Sequence, residues 1–131
     1  MSQENVEVVR RLLDQYNSTG EPPWELIDPD VEWVIDPNAW MGGTYRGHDG
    51  VRQFFGRVAE VFDRFQLEVD SFLDAGDAVV ALGRTRVHAE LSGVTTGQPL
   101  ASVFRVRDGR IVAYRSYFEA EEALEAVGLR D

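Results

Sequence analysis

The sequence predicts an α+β fold, in which helices pack on one face of a curved, mainly antiparallel β-sheet. Two observations lead to this prediction. The first half of the chain contains two segments whose apolar residues recur with the period of a helix. The second half contains four extended runs separated by turn residues, among them Asp108-Gly109, a pair typical of tight hairpins. The 131 residues match the size of one domain, so we expect residues 1–131 to form a single domain.

The first helix is expected to begin at Ser2, because serine commonly caps a helix N-terminus. It is expected to end before the Gly-Glu-Pro-Pro segment at residues 20–23, since glycine and proline terminate helices. One face of this helix is apolar and comprises Val6, Val9, Leu12, Leu13 and Tyr16. The sequence therefore predicts an amphipathic helix with a tyrosine on its buried face.

A short strand and a second helix are expected next. A helical turn is expected over Trp24–Ile27. After a break, a strand is expected over Val31–Ile35, and the dipeptide Asp36-Pro37 ends it. A glycine-rich loop at residues 42–47 then leads into the second helix. The apolar face of this helix comprises Val51, Phe54, Phe55, Val58, Val61, Phe62 and Phe65.

Four strands and a last helix complete the chain. The strands are expected over Leu67–Leu73, Ala78–Leu91, Leu100–Arg107 and Arg110–Phe118. Turn residues separate them at 75–77, 92–99 and 108–109, which indicates an antiparallel meander. A short helix over Glu119–Val127 follows, with Gly128 in the position that ends helices.

The composition excludes several classes of function. The net charge of −10 disfavours nucleic acids and anionic membranes as partners. No apolar run approaches the roughly 18 residues that a membrane span needs, and the polar N-terminus carries no secretory signal, so we expect a cytoplasmic protein. The chain has no cysteine and no lysine, which excludes thiolate and Schiff-base chemistry. Its two histidines, His48 and His88, are a poor metal-ligand set, and no cofactor motif is present, so we expect neither metal nor cofactor.

The long third strand has two different faces. One alternation is small and apolar, whereas the other becomes charged and includes Arg86 and His88. The charged face is expected either to meet solvent or a dimer rim, or to place Arg86 and His88 near a ligand in a pocket.

Several phrases, taken in their order and spacing, resemble the nuclear transport factor 2-like (NTF2-like) superfamily. They are Tyr16-Asn17, the strand phrase over residues 30–33, the phrase Tyr45-Arg46-Gly47 before the second helix, and residues 104–111 before Tyr117. Within that superfamily the chain is similar to SnoaL-like polyketide cyclases and ketosteroid isomerase-related proteins. The resemblance implies a cone-shaped fold whose strongly curved sheet encloses a pocket, a hydrophobic small-molecule ligand and a homodimer formed through the outer face of the sheet.

The resemblance to the isomerases also implies roles for individual residues. Tyr16 matches the tyrosine that donates a hydrogen bond to the enolate, and Asp36 matches the aspartate that removes a proton beside a carbonyl. Ser102 takes the position of the second, acidic donor, and because a serine is a weaker donor, efficient steroid isomerisation is not expected.

Two functions remain open at this stage. In the first, the chain is an isomerase, cyclase or dehydratase that acts on a hydrophobic carbonyl compound, with Asp36 as the base and Tyr16 as the hydrogen-bond donor. In the second, it is a non-catalytic ligand-binding or dimerising scaffold. The aromatic residues expected to line the pocket in either case are Trp33, Trp40, Phe55, Phe104, Tyr114 and Phe118.

Overall fold

A computed structural model describes residues 2–89 and 94–129 of the chain. Its helices are α1 (Ser2–Thr19), α2 (Gly47–Val61) and α3 (Ala120–Ala126). Its strands are β1 (Ile27–Ile35), β2 (Gly43–Arg46), β3 (Arg64–Asp74), β4 (Ala78–Ala89), β5 (Val94–Arg107) and β6 (Arg110–Tyr117). A 3₁₀ turn over Trp24–Leu26 joins α1 to β1. No helix of the described residues is long and apolar enough to cross a lipid bilayer.

The strands of the described residues form one mixed sheet in the order β2-β1-β6-β5-β4-β3. Strands β3 to β6 make the antiparallel meander that the sequence predicts. Strand β1 pairs parallel with β6 and antiparallel with β2. The predicted α+β class with a mainly antiparallel sheet is therefore confirmed.

Two irregularities interrupt the strand pairing of the sheet. The pairing of β3 with β4 shifts between Val69 and Ser71, and that of β5 with β6 shifts between Arg105 and Val106. Such bulges increase the local bend and twist of a strand. At the first of them Gly83 lies so close to the Glu68 carbonyl oxygen that a side chain would clash with it. Because Gly83 has no side chain, β4 can follow the bend of β3.

The main core lies between the inner face of the sheet and helices α1 and α2. Val9 of α1 and Val51 of α2 are fully buried there against Val79, Phe104 and Ile111 of the sheet. Helix α3 lies on the opposite face, where Ala123 packs in a small cluster that also contains Ala78, Val80, Ala101 and Val103. The prediction that the helices share one face is wrong for α3, because Ala78 and Val80 form an apolar patch on the outer face that α3 covers.

The boundary between α2 and β3 differs from the prediction, which extends the helix to Phe65. The helix ends at Val61, and the Asp63 N–H donates to the backbone carbonyl of His88 on β4. Phe65 then pairs with Val87 as a strand residue. The apolar spacing continues past the end of the helix, but pairing with β4 determines the backbone conformation.

Three further boundaries depend on strand neighbours rather than on local sequence. Strand β1 begins at Ile27, because a register shift between Ile27 and Glu32 accommodates Pro29. The expected glycine-rich loop contains β2, whose four residues pair with the end of β1. The expected loop at 92–99 is a strand from Val94, and the calls on residues 90–93 lie outside the described residues. Pro99 is tolerated there because β6 pairs with β5 only from Ala101 onward.

Candidate functional site

The inner face of the sheet, α1 and α2 enclose a cavity of about 480 Å³. This volume lies within the range of pockets that bind small organic molecules. The wall includes the aromatic residues that the sequence predicts for the site: Tyr16, Trp33, Trp40, Phe55, Phe104, Tyr114 and Phe118. Four other predicted site residues, all within the described part of the chain, do not line it: Asp36, Arg86, His88 and Ser102.

The wall of the cavity is uncharged. Among the described residues that line it there is no Asp, Glu, Arg or His, and most of its side chains are aliphatic or aromatic. Its polar side chains are Tyr16, Thr85, Gln98, Tyr114 and Ser116, together with the indoles of Trp33 and Trp40. In the part of the chain that the structure describes, no three His, Asp or Glu side chains are grouped so that they could hold a metal ion. The geometry therefore favours a largely apolar ligand.

Tyr16 contributes a phenol from the buried face of α1. Its ring lies 4.7 Å from the ring of Phe55 on α2, measured between centroids. No hydrogen bond from a described residue contributes to the pKa of its hydroxyl group. Burial raises the pKa of Tyr16 well above the ordinary value near 10, because the phenolate would lose its hydration. The hydroxyl therefore keeps its proton at neutral pH and can donate a hydrogen bond to a ligand.

Trp33 and Tyr114 form a stacked pair in the part of the wall that the sheet supplies. Their ring centroids are 4.3 Å apart, and the rings are tilted by only 23°. The Tyr114 hydroxyl is 3.0 Å from the hydroxyl of Ser102, which is completely buried behind it. Burial raises the pKa of Tyr114 to about 12, while the hydrogen bond with Ser102 opposes part of that rise. Ser102 thus positions Tyr114 and has no surface in the cavity.

The indole nitrogen of Trp33 has no hydrogen-bond partner among the described residues, although the side chain is only 3% exposed. An indole N–H can only donate, and a buried donor without a partner costs about 1–3 kcal/mol. The nitrogen is buried away from any water-sized space, so Trp33 contributes its apolar ring, and not its N–H, to the wall of the cavity.

Asp36 lies just behind the wall, at the end of β1. The residue is 8% exposed, and its backbone N–H donates to Ser116 Oγ over 3.0 Å. Its carboxylate accepts the Asn38 N–H over 2.9 Å, and its backbone carbonyl accepts the Ala39 N–H over 2.8 Å. The side chain thus closes a turn of the kind that Asp commonly stabilises. This position does not bring the carboxylate to the Tyr16 hydroxyl.

The turn at Asp36 begins a loop over residues 36–42 that presents Trp40 at the cavity mouth. Trp40 is 66% exposed, and its ring meets that of Phe62 edge to face, with centroids 6.0 Å apart. The loop is held at its far end because the Tyr45 hydroxyl donates to the Met41 carbonyl. A held loop thus keeps a large apolar side chain at the entrance to the cavity.

Arg86 and His88 lie on the other face of β4, which corrects the interpretation that placed them in a pocket. The cavity is lined by Thr85 and Val87, the opposite alternation of the same strand. Arg86 donates to Glu68 across the exposed outer face over 3.1 Å, and this hydrogen bond lowers the pKa of Glu68. The charged alternation therefore faces away from the cavity, because the small and apolar alternation, which includes Val79 and Ala81, packs in the core with α1 and α2.

A model of the SnoaL-like domain matches residues 9–114 of the chain. The chain belongs to the SnoaL-like domain family. This family lies in the NTF2-like superfamily, which agrees with the resemblance inferred from the sequence. No curated protein matches the sequence of this SnoaL-like chain.

Solved structures show the same fold over nearly the whole SnoaL-like chain. TerC, crystallised with polyporic acid, is 26% identical, with a TM-score of 0.78 over 95% of this chain and 98% of TerC. An NTF2-like protein from Burkholderia pseudomallei is 27% identical, with a TM-score of 0.78 over 95% and 97% of the two chains. A protein with a ketosteroid isomerase-like fold from Catenulispora acidiphila is 19% identical, with a TM-score of 0.74 over 94% and 93%.

Several wall residues of the SnoaL-like domain were not predicted from the sequence. They are Leu12, Leu13, Ile35, Ala39, Met41, Phe54, Phe62, Phe65, Leu67, Thr85, Val87, Gly97, Gln98, Leu100 and Ser116. The shared alternation of Ser116 and Tyr114 on β6 was a usable signal for one of them, because alternate strand residues point to the same face. Gly97 and Gln98 fall in the segment that the sequence predicts as a loop. Most of the others look like ordinary core residues in the sequence, which gives no signal that separates wall from core.

Proposed function

We propose that this SnoaL-like protein binds a small, hydrophobic and uncharged molecule in the cavity. The observation that carries the proposal is the uncharged, largely aromatic wall around about 480 Å³. Apolar walls with a few fixed polar groups are the common form of small-molecule sites. TerC, a structural relative that is 26% identical, was crystallised with the small molecule polyporic acid, and this supports a ligand of similar scale.

The wall chemistry indicates how such a ligand is held. Burial of its apolar surface supplies most of the affinity, at about 25 cal/mol for each Å² removed from water. The Tyr16 hydroxyl supplies orientation, because burial keeps it protonated and ready to donate. The ligand then lies between α1 and the inner face of the sheet.

A second candidate function is proton transfer, in which Asp36 removes a proton beside a carbonyl group of the ligand. The observation that favours it is the burial of Asp36 directly behind two wall residues, Ile35 and Ser116. Such a base would begin an isomerisation, an aldol cyclisation or a dehydration. The carboxylate already accepts the Asn38 N–H and does not line the cavity, and for this reason we rank binding first.

Ligand binding is testable with N-phenyl-1-naphthylamine, an uncharged dye whose fluorescence rises in apolar surroundings. We expect the protein to bind the dye, and Val87→Phe to weaken this binding at least about tenfold by filling the cavity. Arg84→Phe is the matched control, because it introduces the same side chain on the exposed face of the same strand. Circular dichroism establishes that both variants are folded.

The two variants separate the cavity from the rest of the surface. Weaker dye binding in Val87→Phe together with unchanged binding in Arg84→Phe supports a ligand site in the cavity. Equal binding by both variants, or no dye binding by the unmodified protein, would rule out the proposed function.

A further inference from the structure

We propose that Thr85 and Gln98 form a polar subsite at the mouth of the cavity, which selects elongated neutral ligands that carry a hydroxyl or amide group at their outer end. This inference rests on the proposed function, because it specifies the chemistry and the direction of the ligand in the same cavity. It gives a binding role to two wall residues to which the sequence assigns none.

The two side chains of the subsite lie next to each other on the inner face of the sheet. Thr85 of β4 and Gln98 of β5 are directly paired in the antiparallel register, and both line the cavity. The Thr85 hydroxyl donates to the Gln98 backbone carbonyl over 3.5 Å, which is longer than an ordinary O–H···O hydrogen bond. The hydroxyl is thus weakly held, and together with the Gln98 amide it offers a ligand both donors and acceptors.

The subsite lies at the open end of the cavity. Along the inner face of β5, Gln98 is exposed, Leu100 is half-buried and Phe104 is only 1% exposed. Gln98 and Phe104 both line the cavity and are six residues apart, which corresponds to about 20 Å along a strand. The cavity is therefore elongated along β5, with a polar end at the solvent and an aromatic end in the core.

Two tryptophans of the wall mark these two ends. Trp40 is 66% exposed, and ring contacts through Phe62 and Phe65 connect it to β3, which pairs with the strand that carries Thr85. Trp33 is 3% exposed and stacks on a tyrosine that pairs with the buried end of β5. The fluorescence of the two indoles can therefore report which end of a bound molecule lies at the mouth.

A neutral group that both donates and accepts hydrogen bonds suits this subsite. A hydroxyl or amide group can exchange hydrogen bonds with Thr85 and Gln98 while the rest of the molecule lies against the apolar wall. An apolar outer end would instead cover the two polar side chains without replacing their hydrogen bonds to water, which is unfavourable. Because no charged side chain lines the cavity among the described residues, an ionised end group would find no counter-charge in the wall.

A matched pair of probes tests the selectivity of the subsite. 1-Decanol and decyl methyl ether share one alkyl chain, but only the alcohol can donate a hydrogen bond, and each can displace N-phenyl-1-naphthylamine. We expect 1-decanol to bind more tightly than the ether, and the double variant Thr85→Val/Gln98→Leu to reduce this preference by about 2- to 10-fold, the range of one neutral hydrogen bond. Gln53→Leu is the control and is expected to keep the preference, because Gln53 is an exposed glutamine of α2 that does not line the cavity. Circular dichroism establishes that the variants are folded.

Fluorescence quenching measures the direction of the ligand. In 10-bromo-1-decanol the bromine lies at the end opposite to the hydroxyl group, and bromine quenches tryptophan only at short range. We expect Trp33→Phe to remove most of the quenching and Trp40→Phe to retain it. Trp24 gives the same background in both variants, since it does not line the cavity, and 1-decanol without bromine corrects for other changes in fluorescence.

The outcomes distinguish this inference from the proposed function. A preference for 1-decanol that falls in the double variant but not in Gln53→Leu, together with quenching of Trp33, supports the subsite. If the protein binds the dye but shows no preference for 1-decanol, if the preference is the same in the double variant as in Gln53→Leu, or if bromine quenches Trp40 as strongly as Trp33, the inference is wrong and the proposed function stands. If the dye does not bind, both fail.

Discussion

For Asp36, a structural role and a catalytic role predict different effects of substitution. Its carboxylate accepts the Asn38 N–H, and an asparagine side-chain oxygen can accept the same hydrogen bond. We therefore expect Asp36→Asn to retain both stability and dye affinity. Asp36→Ala removes the acceptor and is expected to lower the free energy of unfolding by about 1 kcal/mol, measured by urea denaturation.

The same pair of variants tests proton transfer once a substrate is found. If Asp36 is a base, Asp36→Asn abolishes turnover while ligand binding persists, because an amide cannot take the proton. Unchanged turnover would exclude the catalytic role. Equal loss of stability in both variants would instead contradict the role of the carboxylate in holding the loop.

Tyr114 is expected to make the free energy of unfolding fall as the pH rises above 10. Its pKa is about 12 in the folded protein because of burial, whereas an unfolded tyrosine titrates near 10. The folded state thus holds a proton that the unfolded state releases above pH 10, so the stabilisation is complete below pH 10 and is lost as the pH rises toward 12. The expected loss is up to about 1.4 kcal/mol for each pH unit in this window.

Urea denaturation at pH 9, 10 and 11 measures this dependence. The Tyr114→Phe variant is expected to show a shallower decline, since it has no phenol to titrate at that position. Tyr16, whose pKa burial also raises, contributes in the same direction, so some decline remains in the variant. A decline of the same slope in Tyr114→Phe and in the unmodified protein would contradict the prediction.

The sequence predicts only those residues of the candidate site whose type and position on an apolar face indicate a pocket. Tyr16 and Trp33 lie on apolar faces that periodicity identifies, and the family resemblance adds their position beside a pocket. Arg86 and Thr85 show the limit, because alternation separates the two faces of β4 without indicating which one faces inward. The packing of α1 and α2 on one face of the sheet decides that, and it is a tertiary contact that the strand's own sequence does not contain.

Among the elements, the loop over residues 36–42 has the most direct influence on the cavity, because Ala39, Trp40 and Met41 all line it. Gly42 closes this loop by donating its N–H to the Ala39 carbonyl. A Cβ atom at Gly42 would lie 2.5 Å from the Asp36 carbonyl oxygen and 2.8 Å from the Pro37 Cα atom. The loop therefore cannot keep this conformation with any other residue at position 42.

We expect Gly42→Ala to open the loop, to weaken dye binding and to lower the free energy of unfolding by about 1–3 kcal/mol, the usual cost of overpacking. Gly56→Ala is the matched control, because position 56 is an exposed helical site with no neighbouring atom within 4 Å. There alanine is expected to stabilise the protein by about 0.5–1 kcal/mol. Normal dye affinity and stability in Gly42→Ala would show that the closed loop is not required.

The sequence predicts a helix or strand correctly where its apolar periodicity extends over many residues. It fails where the conformation of a segment depends on pairing with a neighbouring strand. Helix α1 and the meander of β3 to β6 have clear periodicity, and both are present in the structure. Strand β2 has only four residues and begins with a glycine, so its sequence shows no strand periodicity. It forms because β1 offers an edge with which it can pair. The start of β5 contains Gly97 and Pro99, which resemble a loop, and becomes a strand by pairing with β4.

For the whole molecule, the outer face of the sheet is the surface through which we propose a homodimer. Helix α3 covers only part of this face. The remainder carries Leu82 and Tyr117, both partly exposed, beside the exposed Arg84 and Arg115. Because Arg84 is ion-paired with Glu68 and Asp70, charges of both signs lie on this face, which reduces the repulsion between two copies at that contact although the chains, with a net charge of −10, repel each other overall.

Sedimentation equilibrium at two salt concentrations tests this assembly. We expect a species of twice the chain mass of 14.8 kDa, with a dissociation constant that falls as sodium chloride rises from 0.05 to 0.5 M, because salt screens the repulsion between two acidic chains. Leu82→Arg adds a charge to the outer face of the sheet and is expected to shift the equilibrium to the monomer. Val61→Arg, which adds a charge to an exposed site at the end of α2, is the control and is expected to leave the equilibrium unchanged. A monomer at both salt concentrations would exclude the dimer, and equal dissociation of both variants would place the contact elsewhere than on the outer face.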